Sequence, residues 1–136
     1  PMLLPKGTLV AVIDGENFTL FENDGLAAEP RLKALASPEL ERTNYDGGKR
    51  HHTNTSRNPT DDRMEEDAHV AAVADWLNLQ ALKGKLGELV IVADPRSLGE
   101  MRLKYHKELK SLIKGELPLG LATSPVPEIE KALASA

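Results

Sequence analysis

Residues 89–102 read LVIVADPRSLGEMR, and the fold follows from this stretch. Five apolar residues, Leu89 to Ala93, run without a polar break and stop at Asp94-Pro95. A half-exposed strand alternates apolar with polar residues, so an unbroken run predicts a strand covered on both faces, as inside a parallel sheet. Ser97 stands three residues before Glu100, the spacing of a capping box, and a helix is expected from Leu98. Strand, polar loop and capped helix form the unit that places side chains at the carboxyl edge of an open α/β sheet, where such folds keep their ligands.

Outward from this centre, residues 8–14 (TLVAVID) and 18–21 (FTLF) are β-rich and flank Gly15-Glu16-Asn17, a hairpin signal. Residues 31–36 (RLKALA) alternate and predict a third strand, stopped by Pro38. Asp62 and Glu65 repeat the capping spacing. Val70, Val73, Trp76 and Leu77 then share one helical face up to Lys83-Gly84. After the central strand, Leu98, Met101, Tyr105, Leu109, Leu112 and Ile113 predict a helix ending at Gly115, with a bend allowed at Tyr105 or His106. Residues 117–122 (LPLGLA), carrying Pro118 and Gly120, are expected as a weak edge strand, and residues 127–134 as a closing helix. The order βββ-α-β-α-β-α predicts an α/β, ribonuclease-H-like mixed five-stranded sheet with helices on its faces. Residues 1–136 are expected to make one domain.

Residues 43–62 (TNYDGGKRHHTNTSRNPTDD) break the pattern, for Tyr45 is their only large apolar side chain. So polar a stretch buries too little surface to offset its ordering entropy, and it is expected to be a flexible loop with a functional role.

The remaining composition is that of a soluble globular chain, 40% hydrophobic and 28% charged, with a core of Leu, Val, Ile and Ala because aromatics make up 4%. The absence of cysteine excludes disulfides and thiolate metal sites and fits a cytoplasmic location. The first residues lack a signal-peptide pattern and no apolar run reaches membrane length; Pro1 is expected to be a remnant of expression, Met2 being the natural start. A net charge of −4 argues against general nucleic-acid binding and no DNA partner is expected, yet residues 61–83 hold six acids and two bases while residues 97–114 hold two acids and five bases. The simple account of that contrast is helix-dipole complementarity, with Glu65, Glu66 and Asp67 in a first turn and Lys110 and Lys114 in a last turn. The alternative is a basic patch facing RNA, with Lys104 and Lys107 in its middle.

Three constellations carry chemical options. Asp14 and Asp94 end the first and central strands, side by side in a ribonuclease-H topology, and with Glu65 or Glu66 they could share a divalent cation as in a metal-dependent nuclease. The ordinary alternative is that both carboxylates serve their own turns. His51 and His52 with Asp46 or His69 have weak zinc spacing, since adjacent histidines on a loop point apart. Gly47-Gly48 lets the backbone approach another surface, and Lys49, Arg50 and Arg57 beside it suit phosphates.

The segments TLVAVIDGENFTLFEND, RMEEDAHVAAVADWLN and ELVIVADPRSLGEMR together resemble the bacterial host attachment protein family over nearly the whole chain. That family is in turn similar to the middle, peptidyl-tRNA-directed domain of eukaryotic and archaeal class-1 translation release factors. There the first strand also runs into an Asp-Gly turn, as at Asp14-Gly15. A long loop ahead of the first helix carries a catalytic Gly-Gly-Gln, where this chain has Gly47-Gly48-Lys49. The resemblance implies a ribonuclease-H-like domain acting on ribosome-bound tRNA or rRNA, no cofactor, and the ribosome or tRNA as partner. It makes Gly47, Gly48 and Lys49 the candidate catalytic residues, and Lys49, Arg50, Arg57, Lys104 and Lys107 the candidate RNA contacts. Lys49 departs from the glutamine, whose amide both donates and accepts, so weak or absent hydrolysis is implied. Pro95, Leu98, Gly99 and Arg102 look structural, Gly99 for close packing and Arg102 for capping or pairing. Without an export signal, any part in attachment is expected to be indirect, through translation or as a protein-interaction module.

Overall fold

The computed structural model describes residues 2–35, 37–40 and 59–136. Strands β1 (Leu9–Ile13), β2 (Phe18–Asn23) and β3 (Leu32–Ala34) form an antiparallel meander. Strands β4 (Leu89–Ala93) and β5 (Ile113–Leu117) extend it in parallel beyond β1, giving the order β3-β2-β1-β4-β5. Helices α1 (Pro59–Leu82), α2 (Pro95–Arg102), α3 (Lys107–Leu112) and α4 (Val126–Ser135) complete the described elements. This is the ribonuclease-H-like mixed sheet expected from the element order.

Both faces of the sheet are covered, which is why β1 and β4 read as unbroken apolar runs. Side chains alternate along each strand, so Ala11, Ile13, Phe18, Leu20, Ile91 and Ala93 turn toward Val70, Val73 and Leu77 of α1, Leu98 and Met101 of α2, and Leu109 of α3. Their neighbours Val10, Val12, Phe21, Val90 and Val92 turn the other way, onto Leu4 and onto Ile129 and Leu133 of α4. Trp76 anchors the first layer edge-on to Phe18, ring centroids 5.7 Å apart. At the edge of the sheet, the Leu32 amide donates to Glu130 Oε2 of α4 at 2.7 Å, so a side chain occupies a hydrogen-bonding position that another strand would seek.

Asn23, fully buried at the end of β2, organises the chain on either side of the meander. Its amide nitrogen donates to the Leu4 carbonyl at 2.7 Å, and its Oδ1 accepts the Gly25 and Arg31 amides, each at 2.9 Å. Loop backbone that β1 to β3 leave unpaired is thereby satisfied.

Several boundaries differ from the sequence expectation, each for a local reason. Helix α2 begins at Pro95 rather than Leu98, because the N-cap is Asp94, whose Oδ2 accepts the Ser97 amide at 3.1 Å, with proline in the first turn. Helix α1 takes in residues 59–62 of the expected loop, so Asp61 and Asp62 occupy its first turn and Glu65, Glu66 and Asp67 lie beyond it. Strand β3 is shorter than residues 31–36.

The largest difference follows β4, where one expected helix is two. The segment between α2 and α3 is held from α1: Asn78 donates to the Lys104 carbonyl and accepts the His106 amide, both at 2.9 Å, while Asp75 meets Lys104 Nζ at 3.6 Å. Helix α3 then passes straight into β5, which uses residues 113–117 instead of 117–122. Ile113 and Leu117 therefore pair with Leu89 and Val92 of β4, and Lys114 stands in a strand rather than a last helical turn. Gly115 admits the Met2 side chain, whose Cε would lie 2.7 Å from an added Cβ.

Candidate functional site

Parallel pairing of Ile13 with Ala93 brings the turn after β1 and the loop after β4 to the same carboxyl rim. Asp14 is used there by its own turn: Oδ1 accepts the amides of Glu16 at 2.8 Å and Asn17 at 2.6 Å, and the Asn17 side chain at 3.0 Å. Asp94 caps α2 through Oδ2, and its Oδ1 is buried with no hydrogen-bond partner among the described residues. Gly15 sets how closely α1 comes to this rim. A Cβ at Gly15 would lie 2.7 Å from Glu66 Cγ and 2.8 Å from Glu66 Cβ, both far inside contact distance.

A cleft of about 420 Å³ opens here, lined by Gly15, Glu16, Asp62, Glu65, Glu66 and His69. Four of those six residues are acidic and His69 is buried on α1. Beside it, Arg96 at the start of α2 meets Asp67 of α1 at 3.0 Å. Such a rim repels phosphate unless cations are brought to it.

Of the sequence-derived candidates, Glu65 lines the cleft, whereas Asp14 and Asp94 share the rim with their carboxylates engaged in turn and cap. Among the described residues no group of three or more His, Asp or Glu side chains is disposed to hold a metal ion. Gly47, Gly48, Lys49, Arg50 and Arg57, with most of the expected loop, lie outside the described residues. Lys104 is half-buried against Asp75, and Lys107 is exposed at the start of α3. Gly99 does not serve close packing: it is exposed and a Cβ there would meet nothing within 4 Å.

Arg102 pairs rather than caps, its Nε and a terminal nitrogen donating to Glu116 Oε1 at 2.9 and 2.5 Å. Tyr105 donates to the other oxygen, Glu116 Oε2, at 2.9 Å. Burial, then the hydrogen bond to Glu116, pushes the Tyr105 phenol well above its ordinary range. The same carboxylate, first through its hydrogen bonds and then through its charge, raises Arg102. Glu65, Glu66 and His69 were each legible as candidate ligands, but their grouping with Glu16 in one cleft was not. Their one local signal is the spacing of Glu65, Glu66 and His69, which puts all three on neighbouring positions of one helix.

The model of bacterial archaeo-eukaryotic release factor family 12 matches residues 7–133, from the turn before β1 into the last turns of α4. That description names release factors and does not name host attachment. No curated protein matches the chain.

Proposed function

We propose, from the premise that this chain belongs to bacterial archaeo-eukaryotic release factor family 12, that it acts at the ribosome on tRNA or rRNA as a weakly catalytic or non-catalytic release-factor-like domain. The family match over residues 7–133 is the observation that carries this reading. The site supports it in one respect. In sequence, the segment with Gly47-Gly48-Lys49, Arg50 and Arg57 precedes α1, whose early turns line the acidic cleft through Asp62, Glu65 and Glu66. The acidic rim itself offers phosphate little, and Lys49, Arg50 and Arg57 are cations that the segment before α1 can bring to RNA. Lysine in place of glutamine lacks a neutral amide for positioning water, so hydrolysis of peptidyl-tRNA is slow or absent while binding remains. The place of action is the cytoplasm. Among the described residues no helix is long and apolar enough to cross a membrane.

Co-sedimentation with ribosomes across a salt series tests the reading. Binding that weakens steeply with salt and falls in Lys49→Ala/Arg50→Ala is the expected result. Lys49→Gln, assayed on peptidyl-tRNA, should raise ester cleavage if the segment works as its glycines imply. Absence of ribosome binding by the wild-type chain at low salt overturns the proposal.

A further inference from the structure

The rim opposite the cleft has the reverse charge. Leu9, Leu89 and Ile113 stand in register at the amino ends of β1, β4 and β5. Two helices end close to this edge. Helix α1 is closed by Gly84, whose φ of 71° allows the Gly84 amide to reach Ala81 O at 3.1 Å and the Lys85 amide to reach Gln80 O at 2.9 Å. Helix α3 ends at Leu112 and becomes β5 without a loop. The topology therefore collects Lys83 and Lys85 after α1, Lys107 and Lys110 on α3, and Lys114 on β5, all of them exposed. Against these five lysines stand Glu88, 3.4 Å from Lys114, and Glu108, which leaves a net charge of +3 at an edge of a chain whose total is −4. Lys6, ahead of β1, already meets Asp24 at 3.9 Å. Helix C-termini attract cations, but that effect fades within the last turn and does not call for a lysine on β5.

The residue types narrow the partner. Lysine presents a compact point charge without the planar fork that reads a base edge. Of the rings near these lysines, Tyr105 is half-buried and donates to Glu116, which leaves exposed His106 beside Lys107, too little to stack successive bases of a single strand. What suits exposed lysines on an even rim is the regular phosphate backbone of a duplex, which for RNA is recognised by shape more than by sequence. We propose that the rim carrying Lys83, Lys85, Lys107, Lys110 and Lys114 docks on the phosphates of double-stranded RNA, at the end of the sheet opposite the acidic cleft. The choice of RNA rests on the release-factor-like reading; the choice of rim does not. Docked this way, the charge separation turns the acidic end away from the contacted phosphates.

The test is fluorescence anisotropy of the full chain with a labelled RNA duplex of arbitrary sequence, from low to moderate potassium chloride. Removing three phosphate contacts in Lys83→Gln/Lys85→Gln/Lys110→Gln should flatten the log–log salt slope by about 2–3 and weaken low-salt binding at least about tenfold. Lys33→Gln/Lys131→Gln, on β3 and α4, should bind as wild type. Circular dichroism checks folding, with Lys85→Gln/Lys110→Gln as the milder variant. An unchanged slope in the rim variants overturns the proposal, as does a wild-type chain that binds poly-glutamate and ignores the duplex. Failure here is separable from failure of the ribosomal reading: rim variants that co-sediment with ribosomes normally, while Lys49→Ala/Arg50→Ala does not, refute the rim alone.

Discussion

Replacing Gly15 by alanine tests the packing that shapes the cleft. The backbone at Gly15 lies outside the left-handed region, so alanine meets no intrinsic conformational barrier there. In open space the substitution would stabilise by about 0.4–1 kcal/mol through the unfolded chain. Here the new Cβ would sit 2.7, 2.8 and 2.9 Å from Cγ, Cβ and Cδ of Glu66. Rotating the distal carboxylate does not relieve a clash with Cβ, so α1 must move off the rim, at a cost of about 1–3 kcal/mol for overpacking. The sign of the effect therefore separates the two cases. Glu66→Gly removes every clashing atom at the expense of about 1 kcal/mol for glycine in a helix. On that background Gly15→Ala should become neutral or stabilising, giving a coupling of about 2–3 kcal/mol between contacting residues. Urea unfolding followed by circular dichroism and by fluorescence of Trp76, the only tryptophan, measures all four corners of the cycle. A Gly15→Ala protein as stable as wild type, or one not rescued by Glu66→Gly, refutes the reasoning.

Asn23→Ala should destabilise by about 2–4 kcal/mol in urea, because the Leu4 carbonyl and the Gly25 and Arg31 amides lose a shared buried partner; a loss below about 1 kcal/mol would contradict that role. Gly99→Ala should raise stability by about 0.5–1 kcal/mol, since the helix gains alanine and the added Cβ meets nothing; a lower thermal midpoint would show a contact not accounted for. Tyr105 has a phenol pKa raised above 10.0, so its contribution is whole below pH 10 and is lost as pH climbs toward the folded value. Tyr105→Phe should flatten the alkaline loss of stability, and an unchanged pH profile would count against the buried phenol.

The fold was legible where one segment carried its own instruction. Leu89 to Ala93 announced a doubly covered strand, Asp14-Gly15 a tight return, and Val70, Val73 and Leu77 the inner face of α1. What was not legible depends on partners distant in the chain. Leu98, Met101 and Leu109 keep a helical period across the break, and it is Asn78 and Asp75 on another helix that hold the break in place. Ile113 and Leu117 stand four apart, which fits a helical stripe as well as the two ends of a strand; pairing with β4 decides. At the site, Asp14 and Asp94 were correctly brought to one rim by parallel pairing. Their spacing held no information about which neighbouring amides would claim them, so turn or cap was the ordinary expectation and metal ligand the alternative.

The bond between Glu130 and the Leu32 amide joins positions 98 apart in sequence. Helix α4 is the last described element in chain order, whereas the strand it guards is among the first. During synthesis, the margin of β3 therefore stays open until α4 has left the exit tunnel. Nascent chains crowded on one messenger would meet one another in that interval, and a truncation that removed α4 would leave the margin permanently ready to pair.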